Sequence, residues 1–295
     1  MATVRGTIRR AGGRRRAAGA APETGALLAF FALAYALSWA WVVPLALTHQ
    51  VVRRGDGWPT HAPALLGPLV AAFAVTAWTT GRPGVRELLA RMGRWRVAPR
   101  WWLVALSPIA FLAVTLAGLL VAGQDLPAVA DFGRFSGTPA VGVVGALLII
   151  TFVGSLGEET GWRGFALPRL QRRLGALSAT LVLAPLWWLW HLPQFFVIAT
   201  YRDFQPFEYV GMFLGLTCGA FVLTWLYNRS GGSVLLVVVW HGLYNFVAAT
   251  QAAVGTIAAV VSTLVMVQAL VLLAFELRAR RHGRPSLLGA APTRA

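Results

Sequence analysis

The chain of 295 residues has no lysine, a single cysteine and only ten acidic residues, and each shortage narrows what it can be. Without lysine, all 26 basic residues are arginine, and the formal net charge is +16. That surplus would suit nucleic acid if it formed one face, but the arginines sit between apolar runs, so no nucleic-acid partner is expected. The lone cysteine, Cys218, rules out an intrachain disulfide, and in its apolar run it reads as a small packing residue. Charged residues make up 12% of the chain, while 57% is hydrophobic. The mean hydropathy is +0.65, which is the balance of a polytopic membrane protein. There is no internal repeat of the kind that marks inverted-repeat transporters.

Eight apolar runs are present, at about 26–48, 62–80, 101–122, 139–167, 175–200, 207–227, 233–250 and 254–277. The first is too long for the core of a cleaved leader and reads as a spanning helix. Eight spans partition the arginines sharply, with 22 on one side and only Arg53, Arg54, Arg134 and Arg202 on the other. Under the positive-inside rule both termini are then cytoplasmic. The expected architecture is all-α: a polytopic bundle of about eight transmembrane helices forming one domain over 26–277, with its catalytic core at about 139–250. A basic, disordered cytoplasmic tail (1–25) precedes it and a second basic tail (278–295) follows, both lying against an anionic inner leaflet. Val85, Leu88, Leu89 and Met92 recur at helical spacing and predict an interfacial helix, after which Trp95, Trp101 and Trp102 read as interfacial anchors.

The stretch that demands a reason is Gly157-Glu158-Glu159-Thr160-Gly161-Trp162-Arg163. An ionisable group at helix-centre depth costs about 2.5–3.5 kcal/mol, so it must be paired, line a polar cavity or do chemistry. Glu159 and Arg163 are four apart with the acid first, the favourable order for an ion pair. Glu158, turned roughly 100° away on the helix, is the carboxylate left over. The helix is expected to run on to about Leu167, where Pro168 stops it, leaving Arg163 able to reach the headgroups while it pairs with Glu159. Further polar residues interrupt later runs. His191 follows Trp187-Trp188-Leu189-Trp190 and precedes Leu192-Pro193, where the helix should break. His241 and Asn245 are four apart and share one face of the seventh run. Singly, each could be interhelical packing glue, but all of them fall at comparable depths.

A glutamate, two histidines and an asparagine suit peptide hydrolysis. Glu158 and His191 would activate water, while His241 and Asn245 would stabilise the oxyanion. Glu158, His191 and His241 could instead bind zinc with an open fourth position, although no His-Glu-x-x-His helix is present. Glu158-Glu159-x-x-x-Arg163, Trp187-x-x-x-His191 and His241-x-x-x-Asn245 together resemble the CPBP family of intramembrane endopeptidases, which includes type II CAAX prenyl proteases and bacteriocin-processing, immunity or Abi proteins. Leu66–Ala72 and the basic stretch Arg91–Trp102 also resemble that family's N-terminal half.

The resemblance implies an all-helical bundle with a cavity open to the cytosol. It implies Glu158, His191, His241 and Asn245 as the catalytic set, supported by Glu159, Arg163 and Trp187. Family members are described both as metalloproteases and as glutamate-dependent enzymes; the metal-free reading, with no cofactor, is the one favoured here. Trp187 departs from the family's usual phenylalanine, which places specificity in question more than mechanism. The expected partner is a peptide or membrane-tethered protein substrate. Prenylated CAAX proteins are the family's expectation, but the arginine-, alanine- and glycine-rich composition points to a GC-rich bacterial genome. A bacterial inner membrane and a secreted peptide, leader remnant or membrane regulator fit that better. A non-catalytic scaffold or immunity protein of the same fold, and a small-solute transporter, are the alternatives.

Overall fold

The computed structural model describes residues 20–289, and within them every one of the eight apolar runs is helical. Helix α1 spans Ala20–Leu47, α2 Ala62–Leu65 and α3 Gly67–Met92; α4 and α5 cover Pro99–Ala105 and Ser107–Val121. Next come α6 (Gly142–Ile149), α7 (Leu156–Gly161) and α8 (Leu167–Trp190). A short α9 (Ala199–Arg202) leads to α10 (Pro206–Arg229), α11 (Val234–Ala249) and α12 (Thr256–Arg281). Five helical stretches are long and apolar enough to cross a membrane, or six when α4 and α5, bent by 50°, are taken as one. The stretch 142–196 is 55 residues long, about 80 Å if straight, so it must fold back on itself to stay within one bilayer.

It does so at Gly175, whose φ of 72° and ψ of 171° break the helix between two arms of α8. Pro168 does not end the helix as the sequence suggested. It stands in the first turn of α8, directly after a π-helical segment, where a residue without an N–H and with φ fixed near −65° is tolerated. A similar break at Gly81 (φ 63°) divides α3 into the apolar arm and the amphipathic arm expected around Leu88. Leu88 is buried and Leu89 exposed, as an interfacial helix requires. Of the three tryptophans read as anchors, Trp95 is exposed, but Trp101 is buried edge-on against Trp225, 5.3 Å between ring centroids. Trp101 therefore packs the bundle rather than anchoring its rim.

The connections sort into two groups. At one end, Val52 N donates to Val197 O (2.8 Å), Gly137 N to Arg53 O (2.9 Å) and Gln251 N to Arg134 O (2.9 Å). These tie together the segments after α1, α5, α8 and α11. At the opposite end Arg172 pairs with Glu23 (2.7 Å), Arg94 Nη1 donates to Gly231 O (2.6 Å), and Asn228 Nδ2 donates to Leu288 O (2.6 Å). The grouping matches the two sides into which the arginines divide.

Two details concern the expected tails. Helix α1 already begins at Ala20, and residues 1–19 and 290–295 lie outside the described residues. Residues 286–288 fold back onto α12, where the buried Glu276 carboxylate accepts from Ser286 Oγ, Leu287 N and Leu288 N. Leu288 is fully buried, so this part of the chain is packed.

Candidate active site

The site is built on a helix that tertiary packing has distorted on both sides. Residues 150–155 and 162–166 are π-helical and bracket the six residues of α7. Each π turn takes in an extra residue and resets which side chains face inward, a device common at functional sites. Glycines let neighbours approach closely enough to hold this geometry. A Cβ on Gly157 would collide with the Leu65 carbonyl, one on Gly161 with Pro68, and one on Gly242 of α11 with Thr151. Residues 157–166 are all buried as a result.

Within this segment the two adjacent glutamates have separate partners. Glu159, with no exposed surface, receives Arg163 Nη1 at 2.8 Å and His241 Nδ1 at 2.9 Å on the same oxygen, Oε1. Arg163 does not reach the headgroups. The helix continues to Gly175, so Arg163 lies about 18 Å short of the turn, and Arg169, Arg172 and Arg173 occupy the end instead. Its guanidinium is wholly buried and stacks on the Trp187 ring, 4.2 Å from the centroid. Burying either charge alone would be costly, whereas together they compensate.

Glu158 is held by a different contact. Trp187 Nε1 donates to Glu158 Oε2 at 2.7 Å, inside the bundle. The hairpin at Gly175 explains the encounter: Glu158 is 17 residues before the glycine and His191 is 16 after it. Both therefore lie at nearly equal height on facing arms, about 24–26 Å from the turn. His191 caps the second arm, where the helix breaks as expected, and its Nδ1 donates to Trp187 O at 2.9 Å. That bond fixes the neutral tautomer and leaves Nε2 with a free lone pair. Glu158 makes no direct hydrogen bond to either imidazole. Trp187 lies among all of them, its ring centroid 6.0 Å from that of His191 and 5.5 Å from that of His241. Asn245 stands one turn beyond His241 on α11 and is half-buried.

Two further residues reach this neighbourhood that the sequence reading did not single out. His61, buried in the connection before α2, has an Nδ1 without a hydrogen-bond partner. Burial, with a smaller contribution from the nearby His191, pushes its pKa down to about 4, so it is neutral at ordinary pH. Tyr201, in α9, is pushed up to about 12 by burial first and then by the Glu158 carboxylate. His61 is one of only five histidines and could have been weighed on that ground; nothing local distinguished Tyr201.

The zinc alternative finds no gathered ligand set at these positions. Among the described residues no group of three or more His, Cys, Asp or Glu is gathered to hold a metal ion. The three residues named for zinc sit round Trp187 rather than round a shared point, so no step below passes through a metal.

The helical bundle thus buries carboxylates and imidazoles from three of its helices, groups that hydrolysis can use, and sequence comparison points to the same class. Residues 139–247, which contain all four proposed catalytic residues, match the family model described as Rce1-like, type II CAAX prenyl endopeptidase. The chain is also 24% identical over 227 residues to CAAX prenyl protease 2 of Methanococcus maripaludis, an alignment covering 74% of this chain and 80% of that relative. Both matches point the same way as the three motifs, to similarity with CAAX-type intramembrane endopeptidases. The apolar helices mark an integral membrane protein, and the matches support a protease.

Proposed function

We propose that this protease hydrolyses a peptide bond near the cytoplasmic leaflet, with Glu158 and His191 activating water and His241 and Asn245 stabilising the oxyanion. The observation that supports the reading is that Glu158 and His191 share Trp187 across the Gly175 break, the indole N–H on the Glu158 carboxylate and the Trp187 carbonyl on His191 Nδ1. A water between the Glu158 carboxylate and Nε2 would attack the carbonyl carbon as its proton passes to Glu158. The tetrahedral oxyanion would receive the Asn245 amide N–H. His241 donates its Nδ1–H to Glu159 Oε1, so a neutral His241 turns an acceptor Nε2 outwards and could bond the oxyanion from there only when protonated. Collapse of the intermediate would return the Glu158 proton to the departing amine, which leaves the enzyme in its starting state.

The reading includes eight spans with both termini cytoplasmic in a bacterial inner membrane, and no bound metal. The arginine partition and the two groups of connections support the topology; a reporter fused at each connection tests it. The decisive experiment compares membranes carrying wild type and Glu158→Gln by proteomics of new termini. The expected result is a product found only with wild type, while a farnesylated CAAX peptide serves as a trial substrate for the purified protein. An unchanged proteome together with an unchanged phenotype in folded Glu158→Gln would instead favour a scaffold or immunity protein. Substrate-dependent flux into vesicles without cleavage would favour a transporter. Metal content of the active protein, read beside its activity after chelation, tests the metal-free chemistry.

A further inference from the structure

Away from the catalytic residues, at the arginine-rich end, the bend at Gly81 opens a groove between the two arms of α3 and the start of α8. Its volume is about 350 Å³, open on one side, and its polar lining includes Thr76, Thr80, Glu87, Arg91, Arg169 and Arg172. Three guanidinium groups therefore face one carboxylate. Glu87 is largely exposed and lies 3.7 Å from Arg91 Nε, beyond hydrogen-bond reach, and that buried Nε has no acceptor. Arg91 is held in place from behind, its Nη1 donating to Tyr227 OH at 2.8 Å. Arg169 is fixed likewise, donating to Phe165 O at 3.1 Å and stacking on the Phe165 ring. The charges of Arg91 and Arg172 bear on Arg169 and those of Glu23 and Glu87 oppose them, so three guanidinium groups against two carboxylates leave a surplus positive charge in the groove. Arg172 pairs with Glu23 at 2.7 Å, within hydrogen-bond reach.

We propose that this groove binds the phosphate of an anionic phospholipid head group. Guanidinium groups fixed from two elements suit a phosphate, whose oxygens accept paired N–H donors. A lipid is favoured over a free anion because the groove opens where the amphipathic arm of α3 lies, and the same helix carries the exposed apolar side chains Trp78 and Leu89. An occupant would also brace α8 against α3. From Arg172 the chain runs back without a break to Arg163 and Glu158, so the brace acts on the helix that carries the glutamates. The proposal does not depend on the hydrolytic mechanism, since binding is measured directly.

The test uses the full-length protein in neutral detergent. Native mass spectrometry and thermal unfolding are followed with phosphatidylglycerol, with phosphatidylcholine of the same acyl chains, and with inorganic phosphate. Phosphatidylglycerol should be retained and should raise the melting temperature, and phosphatidylcholine should do neither. Arg169→Gln and the half-exposed Arg172→Gln should each weaken retention about tenfold, the worth of one charge-assisted hydrogen bond. Glu23→Gln, which frees Arg172 without removing a donor, should strengthen it; a merely structural cluster would show the opposite. Equal retention of the two lipids, or wild-type retention in both arginine variants, would overturn the proposal. Stabilisation by inorganic phosphate with no preference between lipids would overturn the lipid assignment.

Discussion

Trp187 tests the site most sharply, because its indole N–H is, among the described residues, the one hydrogen-bond donor reaching the Glu158 carboxylate. Trp187→Phe removes that donor while keeping an aromatic ring between Arg163 and His241. The smaller ring leaves a modest cavity, with a stability cost of about 1–2 kcal/mol, and the cation–π contact with Arg163 persists in weaker form. Catalysis should suffer more. A hydrogen bond to a charged group contributes about 1.5–3 kcal/mol, and if it fixes the carboxylate where water must be activated, most of that appears in the barrier. The expected loss in kcat is therefore about 10- to 100-fold, with KM within about threefold, since the indole holds the carboxylate rather than the substrate. Single-turnover cleavage of the peptide identified by the Glu158→Gln comparison would measure it, alongside thermal unfolding. A kcat within twofold of wild type, in a background where Glu158→Gln is inactive, would refute the positioning role. A collapse in melting temperature matching the lost activity would show that Trp187 only packs.

Two further predictions bear on the scaffold. Glu159→Gln leaves the Arg163 guanidinium buried without its counter-charge and should destabilise the fold by about 3–5 kcal/mol, far more than Glu158→Gln, whose partner is a neutral indole; denaturant unfolding of the two variants would order them. Gly157→Ala drives a methyl into the Leu65 carbonyl and should cost about 1–3 kcal/mol and reduce activity, with recovery absent under lipid stabilisation.

Much of the fold could be read from residue pattern because membrane insertion punishes ambiguity. Long apolar runs must be helical to satisfy their backbone, and all eight are. Arginines fall at the ends because they are expensive elsewhere, and the connections group as that cost demands. The ion pair of Glu159 with Arg163 follows from spacing alone. What could not be read is where packing overrides local preference. Pro168 looks like a stop, yet it sits where a helix tolerates proline, and a left-handed glycine seven residues later makes the turn. The two π turns depend on Gly157, Gly161 and Gly242 meeting neighbours distant in sequence. Trp187 reads as a wall, because the direction of an indole N–H depends on a rotamer that no sequence motif specifies.

The paired glutamates gain their meaning from this packing. Two adjacent carboxylates buried together should repel, and sharing a single proton would be the simple remedy. Here the helix turns them apart, and each has its own surroundings. Glu159 gives one oxygen to both Arg163 and His241, so its charge is spent on ordering the helix core and fixing an imidazole. Glu158 receives the indole N–H, a donor that orients without neutralising. Trp187 separates the two by stacking its face on the Arg163 cation while offering its edge to Glu158. A single side chain thus links the structural ion pair to the free carboxylate, and its replacement by phenylalanine leaves the first function while removing the second.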